Sequence, residues 1–254
     1  MEGGFRDKFM ATVSGVGGSL MRARPAAVSA IAIPIAPRKE QERIVAKLGG
    51  LFECTRRARE ELSHIPRLIE NYKKAILTAA FRGDLTVDWR NKAGVDSSTW
   101  VQQTVADLLS GIKGGKNLRC EERTPTSQEN GVVKVSAVTW GVFDPTKSKT
   151  LPVDFLPAED TLINKGDFLF SRANTIELVG ACVIVDQQPG NLYLSDKILR
   201  LDLREEDKPW LLWFLRSPQG RANLEGGSSG NQLSMRNISH KALCGIAIPF
   251  PIAE

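Results

Sequence analysis

"RKEQERIVAKLGGLFECTRRAREELSHIPRLIENYKKAILTAAFR" (Arg38 to Arg82) decides how the rest of the chain is read. Apolar residues recur at alternating steps of four and three: Ile44, Leu48, Leu51, Ala58, Leu62, Ile65, Ile69, Tyr72, Ile76 and Ala79, with Thr55 as the only polar member. That spacing is the seam of a coiled coil, in which one stripe of a long helix packs against a second helix. Gly49-Gly50 costs about 2 kcal/mol of helix propensity, and Pro66 removes a backbone hydrogen bond. The spacing therefore predicts two collinear helical pieces, about 40–63 and 65–82, bent near Pro66. Gly83 supplies a stop, and "GDLTVDWR" leads away as irregular chain.

A stripe of this kind needs a mate, because one helix cannot hide its own leucines from water. The remaining sequence offers no second match. Pairing through Ile44, Leu48, Leu51, Leu62, Ile65, Ile69, Tyr72 and Ile76 with another copy, or with another helical subunit, is the expectation.

Beyond "NKAGVDSST" (91–99), a polar linker, the texture changes. Short runs such as "GVVKVSAV", "DFLFSR", "VGACVIVD" and "KILRLDL" read as strands, while "TVADLLS" and "KPWLLWFLRSPQGRANLE" read as helices. The fold class is α+β: a mixed α/β domain over 100–250 joined to a long helical spacer over 38–90. The first 37 residues are too short for a domain. Their Gly-rich turn followed by Ile31-Ala32-Ile33-Pro34 echoes a similar turn followed by Ile246-Ala247-Ile248-Pro249, so 1–37 read as the closing segment of an earlier copy of the α/β domain.

The net charge of +5 suits a polyanion partner, since Lys and Arg release counterions on meeting phosphates. Four cysteines more than sixty residues apart offer neither a metal knuckle nor a disulfide framework, and two histidines leave little for an imidazole site. No stretch is long and apolar enough to span a bilayer or to form a signal peptide, which makes the cytoplasm the expected compartment and excludes a membrane partner. Dinucleotide, Walker, nucleophile-elbow and zinc-protease motifs are absent, so no catalytic residue, metal ligand or cofactor is assigned.

Three loops carry long polar side chains on the strand framework: Lys113, Lys116, Asn117 and Arg119; Ser171, Arg172 and Asn174; and Asn231, Gln232, Ser234 and Arg236. Arg and Lys suit guanine edges and phosphates, and Asn or Gln pairs with adenine. These are the candidate DNA-binding residues. The bland alternative is three ordinary turns, which a shared face would rule against.

With its Glu40-Gln41-x-x-Ile44-Val45 entry, Ile65-Pro66, the run Ala75 to Phe81, Gly83, Leu85-Thr86 and Trp89-Arg90, the chain closely resembles the specificity subunits of type I restriction-modification systems. The resemblance implies two target recognition domains, each reading half of a split DNA site, alternating with conserved helices that act as a ruler. A helical path of 43 residues spans at most ~64 Å. It implies double-stranded DNA, methyltransferase subunits and a restriction subunit as partners, with S-adenosylmethionine on the methyltransferase and no catalysis in this chain. Residues 251–254 would begin a second conserved helical region, giving a half-length or truncated form that pairs as an antiparallel homodimer. Two other readings stand beside it: the recognition part of a fused restriction-methyltransferase, and a helical scaffold that binds no DNA.

Overall fold

The computed structural model describes residues 4–15, 21–95, 100–232 and 235–251. The chain divides into two compact units, Met1–Pro66 and Arg67–Glu254.

In the first unit a short helix α1 (Phe5–Met10) leads into a hairpin of β1 (Val13–Ser14) and β2 (Arg22–Ala23), paired antiparallel as Val13 to Ala23 and Ser14 to Arg22. Helix α2 (Pro25–Ser29) opens with proline in its first turn, where the missing N–H costs nothing. After Ile31–Pro37, which is irregular, α3 (Arg38–Phe81) begins. The two helical pieces expected around Pro66 are one helix of 44 residues with Pro66 inside it. One lost hydrogen bond is outweighed by strong helix formers on both sides, such as Arg67, Leu68, Glu70 and Lys73. All eight seam residues singled out for pairing are exposed, from 39% at Ile76 to 69% at Tyr72.

In the second unit the last turn of α3 is anchored. The Phe81 ring lies edge-on to Trp210 at 4.8 Å and to Phe214 at 5.3 Å, and Leu77 and Ala80 join the same core. Gly83, with φ of 80°, stops the helix where only glycine is at ease. "GDLTVDWR" is not irregular: a 3-10 turn at Asp84–Thr86 runs into α4 (Val87–Ala93), because Arg90 folds back, buried, to donate to Thr86 Oγ1. The expected linker thus starts inside α4, and its residues 96–99 lie outside the described structure.

The mixed α/β body follows as β3 (Trp100–Thr104), α5 (Val105–Leu108), β4 (Leu109–Gly114), β5 (Gly131–Val133), β6 (Ser148–Thr150), β7 (Phe168–Ser171), β8 (Ala173–Asn174), β9 (Cys182–Ile184), β10 (Leu192–Tyr193) and β11 (Ile198–Leu203). Helices α6 (Asp207–Arg216) and α7 (Pro218–Gly227), the hairpin β12 (Ser228–Gln232) and β13 (Met235–Ile238), α8 (His240–Cys244) and β14 (Ala247–Pro251) close it. The run read as a single helix from Lys208 is split at Ser217: Pro218 cannot continue α6 but suits a first turn, and the Ser217 hydroxyl caps α7 by accepting from Gly220 N–H at 3.1 Å.

The central sheet, in order β4-β11-β7-β9, is antiparallel and buried on both faces. Phe168, Phe170, Leu199 and Leu201 face a core with Leu211, Phe214 and Leu224 of the helices, while Leu169, Val183 and Ile198 face a second core with Val133, Ile163 and Leu192. Burial on both faces is why "FLF" and "ILRL" are nearly continuous apolar runs rather than alternating ones. Each such side chain contributes about 1.5–3 kcal/mol. Three smaller sheets complete the body: β10-β5-β6, β12-β13-β8 and β14-β3.

Candidate nucleic-acid interface

Gly114-Gly115, at the end of β4, turns the chain for a steric reason. A Cβ on Gly115 would sit 1.8 Å from the Leu194 carbonyl oxygen, so only glycine lets this backbone reach the turn Ser195–Lys197, where Gly115 N–H donates to Ser195 O at 3.1 Å and Lys116 bridges to Ser195. On the other side of that turn, Lys197 O accepts from Arg172 N–H at 2.9 Å, and Arg172 O accepts from Ile238 N–H at 2.8 Å. Strand β13 then pairs Arg236 with Asn174 and Asn237 with Ala173 on β8, and Asn237 with Ser229 on β12. Backbone hydrogen bonds thus join Gly115 to Ser195, and Lys197 to Arg172 and Arg172 to Ile238, so the backbones of the three loops are tied together through the turn Ser195–Lys197.

The candidate residues differ in what they have left to offer. Lys116, Asn117 and Arg119 are exposed, and neither cation has an ion pair among the described residues. Arg172 is half-buried with a single 3.3 Å bond from Nε to Asn237 Oδ1. Gln232 is exposed, Asn231 lies in β12, and Ser234 lies outside the described residues. Lys113, by contrast, is paired with Asp160 at 2.6 Å, and that hydrogen bond holds the Asp160 carboxyl below its ordinary range.

Two of the candidates are engaged within the fold. Ser171 is fully buried, its hydroxyl donating to Ala173 O at 3.2 Å, because it ends a strand covered on both faces. Arg236 donates to Ser228 Oγ at 3.0 Å, to Gly230 O at 2.8 Å and to Ser228 O at 2.5 Å, so its guanidinium clips the β12–β13 hairpin together. Asn174 is half-committed: its Oδ1 accepts from Thr175 N–H at 2.9 Å, and its Nδ2 reaches Thr139 Oγ1 at 3.5 Å.

Sequence reading passed over other contributors. Lys197 is exposed in the turn Ser195–Lys197, where "LSDK" between two apolar runs was the available signal. A cleft of about 370 Å³ there is lined by Lys116, Asn117, Lys134, Lys149 and Lys197 together with the carboxylates of Glu122 and Asp196. Glu122 in its wall pairs with Lys149 at 2.6 Å and Lys134 at 3.3 Å, and the hydrogen bond from Lys149, then that from Lys134, keeps its carboxyl below the usual range. Trp140, 74% exposed, follows Thr139, the partner of Asn174. Its loop is pinned where Arg216 Nη2 donates to Gly141 O at 2.8 Å and to Cys182 O at 2.7 Å. Among the described residues no cluster of His, Cys, Asp and Glu is arranged to hold a metal ion, and no helix is long and apolar enough to cross a membrane. These loops therefore offer amide and cationic donors, with the Glu122 and Asp196 carboxylates in the cleft and the exposed Trp140 indole next in sequence to Thr139.

No family profile matches the chain. Among curated proteins it is similar to the type I restriction enzyme EcoKI specificity subunit of Escherichia coli K12, 27% identical over 213 residues, which is 81% of this chain and 44% of that protein. It is also similar to the EcoEI specificity subunit of Escherichia coli, 28% identical over 155 residues, covering 60% of this chain and 26% of that protein. In fold it matches the crystal structure of the HsdS subunit from Thermoanaerobacter tengcongensis with a TM-score of 0.56 at 20% identity, over 96% of this chain and 56% of the other. A structure describing complex assembly and conformational transition of the type I R-M system matches with a TM-score of 0.55, also at 20% identity, over 97% and 56%. In sequence the chain is similar to type I restriction enzyme specificity subunits and in fold to an HsdS subunit, and it spans about half the length of the curated EcoKI protein it matches.

Proposed function

We propose that this chain is a non-catalytic DNA-reading specificity subunit, whose recognition body reads one half of a bipartite site and whose helix α3 docks methyltransferase and restriction subunits. The observation that supports the reading is the set of backbone hydrogen bonds from Gly115 to Ile238, because it ties together the loops that carry Lys116, Asn117, Arg119, Arg172 and Lys197. Cations on such a surface hold phosphates, and amides beside them reach base edges. Trp140 adds an apolar contact of the kind that meets a thymine methyl or a base face. Methyl transfer and cleavage belong to the partner subunits, with S-adenosylmethionine on the methyltransferase.

The exposed seam of α3 supports a second element of the proposal. Two chains pair antiparallel through Ile44, Leu48, Leu51, Leu62, Ile65, Ile69, Tyr72 and Ile76, presenting two identical readers to an interrupted palindrome.

Selection from random-sequence duplexes tests the reading. The wild-type chain enriches a short motif, and Trp140→Ala weakens binding to that motif more than to random duplex. A chain that enriches no motif, or that holds selected and random duplexes equally, overturns it.

A further inference from the structure

The repeat of Ile-Ala-Ile-Pro extends well beyond those four residues. At a constant offset of 215, hairpin pair Val13–Ala23 becomes Ser228–Ile238 and Ser14–Arg22 becomes Ser229–Asn237. Helix α2 maps onto α8 with Val28 on Leu243, and the turn that follows is the same: Ile31 N–H donates to Val28 O at 3.1 Å, Ile246 N–H to Leu243 O at 3.2 Å. Phe9 of α1 falls on Leu224 of α7. Among the described residues, 5–14 and 22–31 thus repeat the hairpin pairing and helix-and-turn of 220–229 and 237–246 in the same order and register.

The two copies differ in what covers them. In the second, Ile248 is fully buried, β14 pairs antiparallel with β3, and Ile246 O accepts from Val105 N–H at 2.9 Å. In the first, Ile33 is 58% and Ile35 77% exposed, and the Ile31–Pro37 backbone has no strand partner among the described residues.

We infer that Ala27–Ala36 is a docking edge for a strand-and-helix segment of the same kind as Trp100–Leu108. The occupant follows from the second copy, in which β3 and α5 fill this seat. It is an extended strand ending in a threonine cap, where Thr104 N–H and Oγ1 both donate to Asp107 Oδ2 at 2.7 Å, followed by a valine whose N–H meets the isoleucine carbonyl. The register carries over directly: Ala32 opposite the threonine, Ile33 opposite the residue of Gln103, Ile35 opposite that of Val101. Main-chain bonds supply the attraction and alternate side chains the selectivity, as in other strand additions to an open edge. The inference rests on the structural repeat and stands apart from DNA reading.

The test fuses a second copy of Trp100–Gly111 to the N-terminus of the full chain through a flexible Gly/Ser linker of ~20 residues, which sets a millimolar effective concentration. Hydrogen exchange is read at the amides of Ile31–Ala36. Exchange at Ile33 and Ile35 slows about tenfold or more relative to a fusion of the scrambled segment. A fused segment carrying V105P, which removes the N–H aimed at Ile31 O, loses most of that protection, and so does Ile33→Asp in the body of the chain. Ile33 is exposed, so that substitution leaves the fold intact. Exchange that equals the scrambled control, or a change confined to Ala247–Pro251 because the fused strand displaces β3, overturns the inference.

Discussion

Lys197→Ala removes one of four cations of the proposed DNA-reading surface, Lys116, Arg119, Arg172 and Lys197, that have no ion pair among the described residues. With one phosphate neutralised by each, the logarithm of the binding constant falls with the logarithm of salt at a slope of about −3.6, a loss of about 150-fold between about 50 and about 200 mM. The variant lowers the slope to about −2.7, and the loss over the same range becomes about 40-fold. Arg236→Ala makes the opposite case. Its guanidinium is bonded to β12 rather than directed to DNA, so the variant loosens the hairpin and blurs sequence preference with the slope unchanged. Lys149→Ala also changes the slope by less than one phosphate, because that ammonium is already engaged at 2.6 Å by Glu122, which it shares with Lys134. Glu122 is held below its ordinary carboxylate range, so the pairing is complete above that range and is lost only as pH falls through the lowered folded-state value. Fluorescence anisotropy with a selected duplex across the salt series reads all three. A Lys197 variant with the wild-type slope, or an Arg236 variant that loses as much slope as Lys197, refutes this division of the surface.

Leu62→Asp places a charge in the exposed seam; sedimentation at tens of micromolar is expected to show a dimer for the wild type and a monomer for the variant, and a wild-type monomer sinks the pairing. Gly180→Ala forces a Cβ to 2.8 Å from both methyls of Leu224 at a φ of +79°, and thermal melting registers a loss of about 1–3 kcal/mol. Cys182 is fully enclosed and burial pushes its thiol up to about 11, so a thiol reagent at pH 8 labels exposed Cys54 in the native protein and leaves Cys182 untouched. Mass spectrometry that finds Cys182 labelled as fast as Cys54 contradicts that burial.

Local chemistry explains which parts of this architecture could be read in advance. The helix announced itself because a seam is written in the spacing of neighbours, and β7 and β11 did so because strands buried on both faces are continuous in apolar character. Arg90 made "GDLTVDWR" hard to read, since its burial against the Gly83 turn follows from tertiary packing. Ser217-Pro218 did carry a readable signal, a cap followed by a first-turn proline, and should have divided α6 from α7. At the site the loops were legible as polar side chains, but their use was not. Ser171 could have been withdrawn from sequence, as the residue after Phe168-Leu169-Phe170 in a strand with no exposed face. The placing of Arg236 and Lys197 could not be read, because it depends on hydrogen bonds that cross between β12 and β13 or that Arg172 N–H donates to Lys197 O.

The two Ile-Ala-Ile-Pro segments show where that boundary lies. The same four residues, preceded by a short helix, make the same turn with the same hydrogen bond in both places, so local backbone follows local sequence. Ile33 is exposed and Ile248 buried because only one of them is met by a strand that ends in Thr104 and continues into Val105. Burial is a property of the pair, and a residue's share in the core is decided by the segment brought against it. The same reasoning applies to the proposed DNA-reading surface: the loops of Lys116 and Lys197 meet because Gly115 has no Cβ to strike the Leu194 carbonyl. A side chain at that glycine is therefore expected to separate the loops and to cost sequence-selective binding before it costs the fold.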